Sequence, residues 1–259
     1  HARIGAAVEE VYADRLSEHF GLLAHHFTQA QRWDKSLEYL LAAARNAERT
    51  FANREALALY DDARRSAERL AGSDADPKTL IGIHEAKARL YFVTSEFEKS
   101  AAEGERILPL ARLMGNRVKE AEALAIVAWA STWGRQLDAA IRYSREAIAV
   151  AEAAGALAVQ GRAHFTIGFV RGVTGVLDES RVLLDKAVEV STAAGDPFSR
   201  SLSLSAAGLL RNWSGDYGEA ARLQEQAQGL ARESGLLFPL LFSLFLRGLT
   251  LTGLGEEDD

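Results

Sequence analysis

Apolar residues recur along most of the chain at intervals of three and four, for example at Leu124, Val127 and Ala130. This spacing places them on one face of an α-helix, and no stretch shows the alternation of apolar and polar residues that a half-buried strand requires. The pattern predicts an all-α protein with about twelve helices, at 6–30, 34–49, 53–71, 78–94, 97–114, 118–133, 137–154, 157–173, 177–194, 197–213, 217–234 and 237–253.

The connections between these helices repeat with a period of forty residues. Four segments share one frame: TSEFEKSA (Thr94 to Ala101), GRQLDAAI (Gly134 to Ile141), TGVLDESR (Thr174 to Arg181) and SGDYGEAA (Ser214 to Ala221). In that frame each pair has a small residue in its first helix, another in its second helix, a bulky residue after the turn and a closing glycine. These sets are Ala88, Ala128, Gly168, Gly208 and Gly248; Ser100, Ala140, Ser180 and Ala220; Phe97, Leu137, Leu177 and Tyr217; and Gly115, Gly155, Gly195 and Gly235.

Each repeated position has a physical role. Two helices approach closely only where a small side chain on one admits a ridge of the other, and a glycine after an amphipathic run supplies the left-handed conformation that ends a helix. Gly195 is followed by Asp196, a good N-cap, and by Pro197 at the first helical position. The units therefore predict antiparallel helix pairs that stack into a curved solenoid.

The pattern resembles the tetratricopeptide repeat (TPR), in a variant with longer helices. It is carried in the last complete unit by Gly208, Arg211, Gly215, Tyr217, Ala220 and Ala227. The resemblance implies a right-handed superhelical solenoid whose first helices line a concave groove. We divide the chain into divergent helical repeats at 1–77, four and a half regular TPR-like repeats at 78–255, and an acidic end at 256–259 where the array is truncated.

A second resemblance concerns the segment from Tyr12 to Ala63, which contains LLAHHF, RWDKSLEYLLAAA and FANREALALYDDA. It is similar to the segment that opens the repeat region of large bacterial regulators with a signal-transduction ATPase of the STAND type, often joined to a class III nucleotide cyclase. In those proteins the ATPase precedes the repeats. The resemblance implies that this chain is the sensor or regulatory arm of such a signalling protein, with the ATPase on its N-terminal side.

Composition restricts the classes of partner. A net charge of −6 argues against nucleic-acid binding, which depends on clustered lysines and arginines that contact phosphates. The chain has no cysteine, which excludes disulfides and thiol nucleophiles and fits a reducing compartment, so we expect a cytoplasmic location. The most apolar segment, Leu236 to Leu246, is too short to span a bilayer, and we expect a buried helix there rather than a membrane contact.

The sequence offers little catalytic chemistry, and we expect no enzyme activity, no cofactor and no metal site. It contains neither the Gly-x-x-x-x-Gly-Lys-Ser/Thr run of a phosphate loop nor a Gly-x-Ser-x-Gly elbow. His19, His25 and His26 fall in one predicted helix, but zinc would need further ligands from elsewhere, so a packing or surface role is favoured. His84 and His164 stand alone in the sequence.

The TPR resemblance assigns nine first-helix residues to the groove: Arg89, Glu122, Trp129, Trp133, Arg162, Phe169, Asn212, Trp213 and Phe245. Aromatic residues and arginines dominate binding hot spots, so the groove is predicted to bind a protein or peptide partner. In the alternative interpretation, the tryptophans fill space between adjacent helices.

Two further hypotheses stay open beside the non-catalytic scaffold for protein–protein interaction. The groove could serve as a small-molecule or peptide sensor, or the chain could be an unrecognised enzyme, which would require polar residues with perturbed pKa values in one pocket. The last pair lacks a second helix, because Gly255 is followed by Glu-Glu-Asp-Asp. The apolar helix at 236–254 would then be uncovered, and a homodimer through it, a longer native chain or a natural interaction surface would each account for it.

Overall fold

A computed structural model of the protein describes residues 1–71 and 75–254. Those residues form thirteen α-helices and one short 3-10 helix, Ala13–Glu18, which follows the first helix, and they contain no strand. The helices are α1 Ala2–Val11, α2 Phe20–Gln29, α3 Trp33–Arg49, α4 Asn53–Ala71, α5 Pro77–Val93, α6 Phe97–Leu113, α7 Arg117–Trp133, α8 Leu137–Ala154, α9 Leu157–Val173, α10 Leu177–Ala193, α11 Pro197–Trp213, α12 Tyr217–Glu233 and α13 Leu237–Leu254. The predicted turn at Gly255 and the acidic end at 256–259 lie outside the described residues.

The prediction of one helix over 6–30 is wrong. Tyr12 (φ −112°, ψ 27°) and Arg15 (φ −136°, ψ 31°) leave the helical region, so the chain forms α1, the 3-10 helix and α2 instead. The break allows Val8, Leu16 and Phe20 to pack against one apolar core. A straight helix would spread these three side chains along its length. Every other predicted helix boundary lies within one residue of the structure.

The turns within the helix pairs share one left-handed residue. It is Ser95 (φ 61°) and Arg135 (φ 62°) in two units and glycine in the other two, Gly175 (φ 85°) and Gly215 (φ 77°). The predicted closing glycines also have positive φ, between 61° and 66°. Since L-residues with a side chain are disfavoured in this region, the glycines match the conformation that each turn requires.

The small-residue positions bring the two helices of a pair into close contact, as predicted. A Cβ added at Gly208 would lie 3.0 Å from the backbone oxygen of Ala220. In other units the second helix uses a serine, whose hydroxyl donates to the first helix: Ser100 Oγ lies 2.8 Å from the Ala88 oxygen, and Ser180 Oγ lies 2.6 Å from the Gly168 oxygen. The hydroxyl is thereby satisfied where it is buried.

Asp196 confirms the predicted N-cap of α11, because its carboxylate accepts hydrogen bonds from the Phe198 and Ser199 amides. Asp76 caps α5 in the same way, and in both cases proline follows at the first helical position. These caps satisfy amides that would otherwise have no partner within the helix.

The chain folds into two compact units, residues 1–116 and residues from Arg117 onward. In the second unit each helix packs on the next along the chain, and the first helices α7, α9, α11 and α13 also contact one another in succession. Its second helices α8, α10 and α12 make few mutual contacts. First helices therefore form the inner, concave layer of this unit. The division of the sequence at residue 78, between divergent and regular repeats, describes the regularity of the repeats and stays a prediction.

Candidate functional site

Seven aromatic side chains of the second unit converge on the layer of first helices. We call them the aromatic cluster: Trp129, Trp133, Phe165, Phe169, Phe198, Phe238 and Phe242. Neighbouring rings stack or meet edge to face with centroids 5.6 to 6.5 Å apart, which is the range of favourable aromatic pairs. Phe165 is buried and the other six rings are half-buried, so the cluster forms both a core and part of a surface.

The cluster closes across the concave side of the unit. The ring of Phe238 on α13 lies 5.8 Å from that of Trp129 and 5.9 Å from that of Trp133, both on α7. Phe242 lies 6.4 Å from Trp133 and 5.8 Å from Phe169. The first and last inner helices of the unit are thus joined through aromatic contacts.

The structure brings together three of the predicted groove residues, Trp129, Trp133 and Phe169. Trp213 and Phe245 also lie on inner helices, but their side chains face solvent, with 47% and 68% of their surface exposed. Trp213 and Phe245 are therefore the two predicted groove aromatics that are exposed. A partner would reach them without disturbing the ring contacts.

The charged members of the predicted set have different surroundings. Glu122 pairs with Lys119 on its own helix at 2.8 Å. Arg89 lies in the first unit, where its guanidinium contacts Glu48 at 2.9 Å and remains largely exposed. Arg89 therefore lies outside the inner layer of the second unit.

Several polar atoms of the inner helices are buried without a hydrogen-bond partner in the described part of the chain. They include Nε of Arg162 and Nδ1 of His164 on α9 and, on α11, Nε of Arg200 and Oδ1 of Asn212. Buried polar groups are normally paired with protein or water. Arg162 and Asn212 were predicted groove residues, whereas Arg200 was not. A ligand group or an ordered water that reached these atoms would satisfy them.

Sequence reasoning missed Phe198, Phe238 and Phe242 as members of the surface. Phe198 and Phe238 are forty residues apart, at the same position of successive first helices. That repetition was a usable signal, because equivalent positions of a solenoid occupy equivalent places in its layers. Phe242 shares its repeat position with the predicted Glu122 and Arg162, which precede it by multiples of forty residues.

Helix α13 presents an apolar face to solvent. Leu237, Leu241, Phe245 and Leu249 follow one another at intervals of four and are each at least 45% exposed. Its opposite face is buried against α11 and α12, with Leu246, Ser243 and Thr250 almost inaccessible. None of the helices in the described residues combines the length and apolarity that a membrane span requires.

The first unit contains a charged cavity of about 470 Å³, lined by Asp61, Arg64, His84, Lys87, Tyr91, Lys99, Ala102, Glu103 and Arg106. At its base His84 donates from Nδ1 to Glu103 Oε2 at 2.6 Å, and Lys87 contacts Glu103 at 2.9 Å and Asp61 at 2.7 Å. His84, Lys87 and Glu103 are buried. The sequence analysis treated His84 as isolated; the structure places it in an ionic network that joins α4, α5 and α6.

The pKa shifts in this cavity favour a structural network over catalysis. Burial alone would raise the pKa of Glu103, but hydrogen bonds from His84 and Lys87 outweigh it and lower the pKa to about 2. Burial would likewise lower the pKa of Lys87, yet its hydrogen bonds to Asp61 and Glu103 raise it. A general base or an amine nucleophile needs a pKa near the working pH. Both groups are instead held in their charged forms.

The comparisons with known proteins identify the fold. The sequence matches no protein-family model and no curated protein. The similar solved structures include BtubC (BKLC) from P. vanneervenii, with a TM-score of 0.62 and 21% identity over 87% of this chain and 90% of that chain. They also include a Rap protein complexed with Competence and Sporulation Factor (TM-score 0.63, 12% identity, 86% of this chain and 71% of that chain) and the apo form of RapI (0.68, 11%, 92% and 66%). The chain is an all-α, TPR-like helical solenoid.

Proposed function

We propose that this chain is a non-catalytic scaffold that binds a protein or peptide partner on the inner helices of its second unit. The observation that carries the proposal is the aromatic layer: the half-buried cluster lies on the inner helices, and two of these helices also display Trp213 and Phe245 in exposed positions. Large aromatic side chains bury much area on binding at low entropic cost and are enriched in hot spots. The Rap protein of similar fold was crystallised with a bound factor, which supports this use of the architecture.

The unpartnered polar atoms supply specificity in this proposal. A guanidinium such as that of Arg162 presents several donors in a fixed plane and suits a carboxylate or a backbone carbonyl. Its Nε has no hydrogen-bond partner among the described residues, which favours a partner that carries an acceptor group. The predicted groove residues Trp129, Trp133, Arg162, Phe169, Asn212, Trp213 and Phe245 form this binding surface. Glu122 contributes at most through its exposed edge, and Arg89 belongs to the first unit.

A selection from a displayed peptide library against the purified chain tests the proposal. Peptides that bind the wild type are expected to lose at least about tenfold in affinity for the Trp213→Ala/Phe245→Ala variant, since hot-spot truncations cost about 2 kcal/mol each. Val182→Ala is the matched control, because Val182 is also an exposed apolar residue but lies on the second helix α10. Equal binding by all three proteins, or no selected binder, would overturn the proposal.

The wider context that we propose is the sensor or regulatory arm of a bacterial signalling ATPase or cyclase. This proposal rests on the family resemblance of the segment from Tyr12 to Ala63. No residue of the aromatic layer contributes to it. The test is the coding sequence upstream of His1. An in-frame phosphate-loop motif there would support the context, and a different upstream domain would refute it.

A small-molecule sensor is the second candidate, favoured by the buried Nε of Arg162, which has no hydrogen-bond partner among the described residues. A small carboxylate that binds there would raise the melting temperature of the wild type through its preference for the native state. Arg162→Leu should abolish that rise without lowering the melting temperature of the free protein, because it removes a buried polar atom that has no hydrogen-bond partner. A library of carboxylates that leaves the melting temperature unchanged would count against this candidate.

A homodimer through α13 remains part of the proposal for partners. The exposed face of Leu237, Leu241, Phe245 and Leu249 is apolar and continuous along the helix, as an isologous contact would require. Sedimentation velocity at increasing concentration should show dimers of the wild type that Leu241→Glu dissociates. A wild type that sediments as a monomer at every concentration would eliminate the dimer.

A further inference from the structure

Three histidines of the first unit face one another at the start of α1 and on α2. The ring centroid of His1 lies 6.0 Å from that of His25 and 5.2 Å from that of His26, and the His25 and His26 rings are 5.4 Å apart. One ligand nitrogen from each ring can be chosen so that all three lie within 4.8 Å of one another. The rings thus surround a common point.

Close packing of α1 on α2 fixes this arrangement. Four residues after His1, a Cβ added at Gly5 would lie 2.9 Å from the ring of Phe27, the residue that follows His26. Phe27 is buried in the apolar core of the unit. The position of His1 over α2 therefore follows from a contact one helical turn away. It does not depend on the histidines themselves.

We infer that His1, His25 and His26 form a binding site for a divalent transition-metal ion of the zinc class. Neutral imidazole nitrogens are good ligands for zinc, copper and nickel, while magnesium and calcium prefer oxygen ligands. At a Zn–N distance of about 2.0 Å, tetrahedral ligands lie about 3.3 Å apart. His1 Nδ1 and His26 Nδ1 are 2.9 Å apart, so small side-chain rotations suffice. Three protein ligands leave one position for water.

His19 is not part of the site, although the sequence placed it with His25 and His26. Its ring packs on that of Tyr12 with centroids 4.1 Å apart, and it is the N-cap residue of α2, six residues before His25. His1, distant in sequence from His25, takes its place. His19 is therefore a matched control within the same unit.

The site would join α1 to α2 and stabilise the first unit, because a metal that binds only the native state raises stability by mass action. The full chain, prepared without a polyhistidine tag, is titrated with Zn²⁺ by isothermal calorimetry, and its melting temperature is followed with and without Zn²⁺. We expect one ion per chain and a higher melting temperature. Magnesium should have neither effect.

The variants decide between a built site and weak binding by exposed histidines. Each of His1→Ala, His25→Ala and His26→Ala should lower the Zn²⁺ affinity by more than about tenfold, since even groups that only orient a ligand are worth that much. His19→Ala should bind as the wild type does, and far-ultraviolet circular dichroism checks that each variant retains its helices. Unchanged affinity in the three variants, equal loss in His19→Ala, one ion shared by two chains, or no stoichiometric binding would each overturn the inference.

Discussion

The indole of Trp133 on α7 meets the ring of Phe238 on α13 edge to face, with centroids 5.9 Å apart, although five helices separate α7 from α13 along the chain. Contacts in a solenoid are mostly between neighbours. The contact between Trp133 and Phe238 joins the first and last inner helices of the second unit, so it is a long-range contact in addition to the local ones. The concave side is therefore partly filled by the chain's own rings.

Trp133→Ala should lower the free energy of unfolding by about 3 kcal/mol, because truncation of a packed Trp removes its ring contacts and leaves a cavity. Trp213→Ala should cost about 1 kcal/mol or less, since nearly half of that side chain is exposed. Urea unfolding followed by circular dichroism measures both. Equal losses would show that the contact between α7 and α13 contributes little to stability.

Two glycines of the same unit should respond to alanine with opposite signs. Gly215 has φ 77° in the turn before α12, so Gly215→Ala should destabilise by about 1 kcal/mol. Gly229 lies within α12, and nothing lies within 4 Å of a Cβ added to it, so Gly229→Ala should stabilise by up to about 1 kcal/mol through helix propensity. Thermal unfolding of the two variants measures the difference, and shifts of the same sign would contradict the turn geometry.

The left-handed turn position also predicts that one substitution to glycine increases stability. Arg135 occupies it with φ 62°, and Arg135→Gly should raise the free energy of unfolding by about 1 kcal/mol because the side chain no longer strains the backbone. Arg142→Gly, in the helical part of the same pair, should instead lower it by about 1 kcal/mol. A loss of stability in Arg135→Gly would refute the assignment of that turn.

The close contact at Gly208 is tested by comparison with Gly248, which has the same position in the repeat. Gly208→Ala should destabilise by about 2 kcal/mol, because the added carbon would meet Gln224 at 2.9 Å and a backbone oxygen at 3.0 Å. Gly248→Ala should be neutral or stabilising, since nothing lies within 4 Å of its added carbon. Chemical unfolding gives both values. Tolerance of alanine at Gly208 would argue against tight packing of α11 on α12.

The ionic network of the first unit predicts a pH dependence. The pKa of Glu103 falls from its ordinary value of 4.5 to about 2. A lowered carboxyl pKa stabilises the fold fully above about pH 4.5, and the contribution disappears as the pH falls toward 2. The stability advantage of the wild type over Glu103→Gln should therefore shrink by up to about 1.4 kcal/mol per pH unit in this window.

Glu98→Gln is the control, because Glu98 is an exposed carboxylate on the same helix. This variant removes a negative charge from the same helix outside the ionic network, so a pH-dependent difference that appears only in Glu103→Gln is due to that network. Urea unfolding of the three proteins at several pH values provides the comparison. A constant difference between the wild type and Glu103→Gln would show that His84 and Lys87 do not hold the carboxylate in its charged form.

Most of the fold was readable from the sequence, because turn chemistry and helix periodicity act locally. Gly155 and Gly195, for example, end helices where the pattern placed them. The break between Tyr12 and His19 was not readable. It contains neither proline nor glycine, and it arises because residues on both sides of it pack into one core. Tertiary packing here overrides the local preference for helix.

The candidate surfaces were predicted less completely. Residues such as Trp133 and Phe169 were selected from their helix positions, but the rings they meet across the unit depend on how successive pairs are displaced along the solenoid. The pairing of His84 with Glu103 and of His1 with His26 depends likewise on which helix faces meet. Periodicity identifies the face of a helix that is apolar, but it does not identify the residue opposite.

The forty-residue unit repeats its turn conformation and its small-residue contact, so duplication or loss of one unit would preserve every type of neighbour interface. It would not preserve the distance between Trp133 and Phe238. An added unit would separate these rings and open the inner surface, and a deleted unit would crowd them. A change in the number of repeats during evolution would therefore change access to the groove, while the fold of each repeat stays the same.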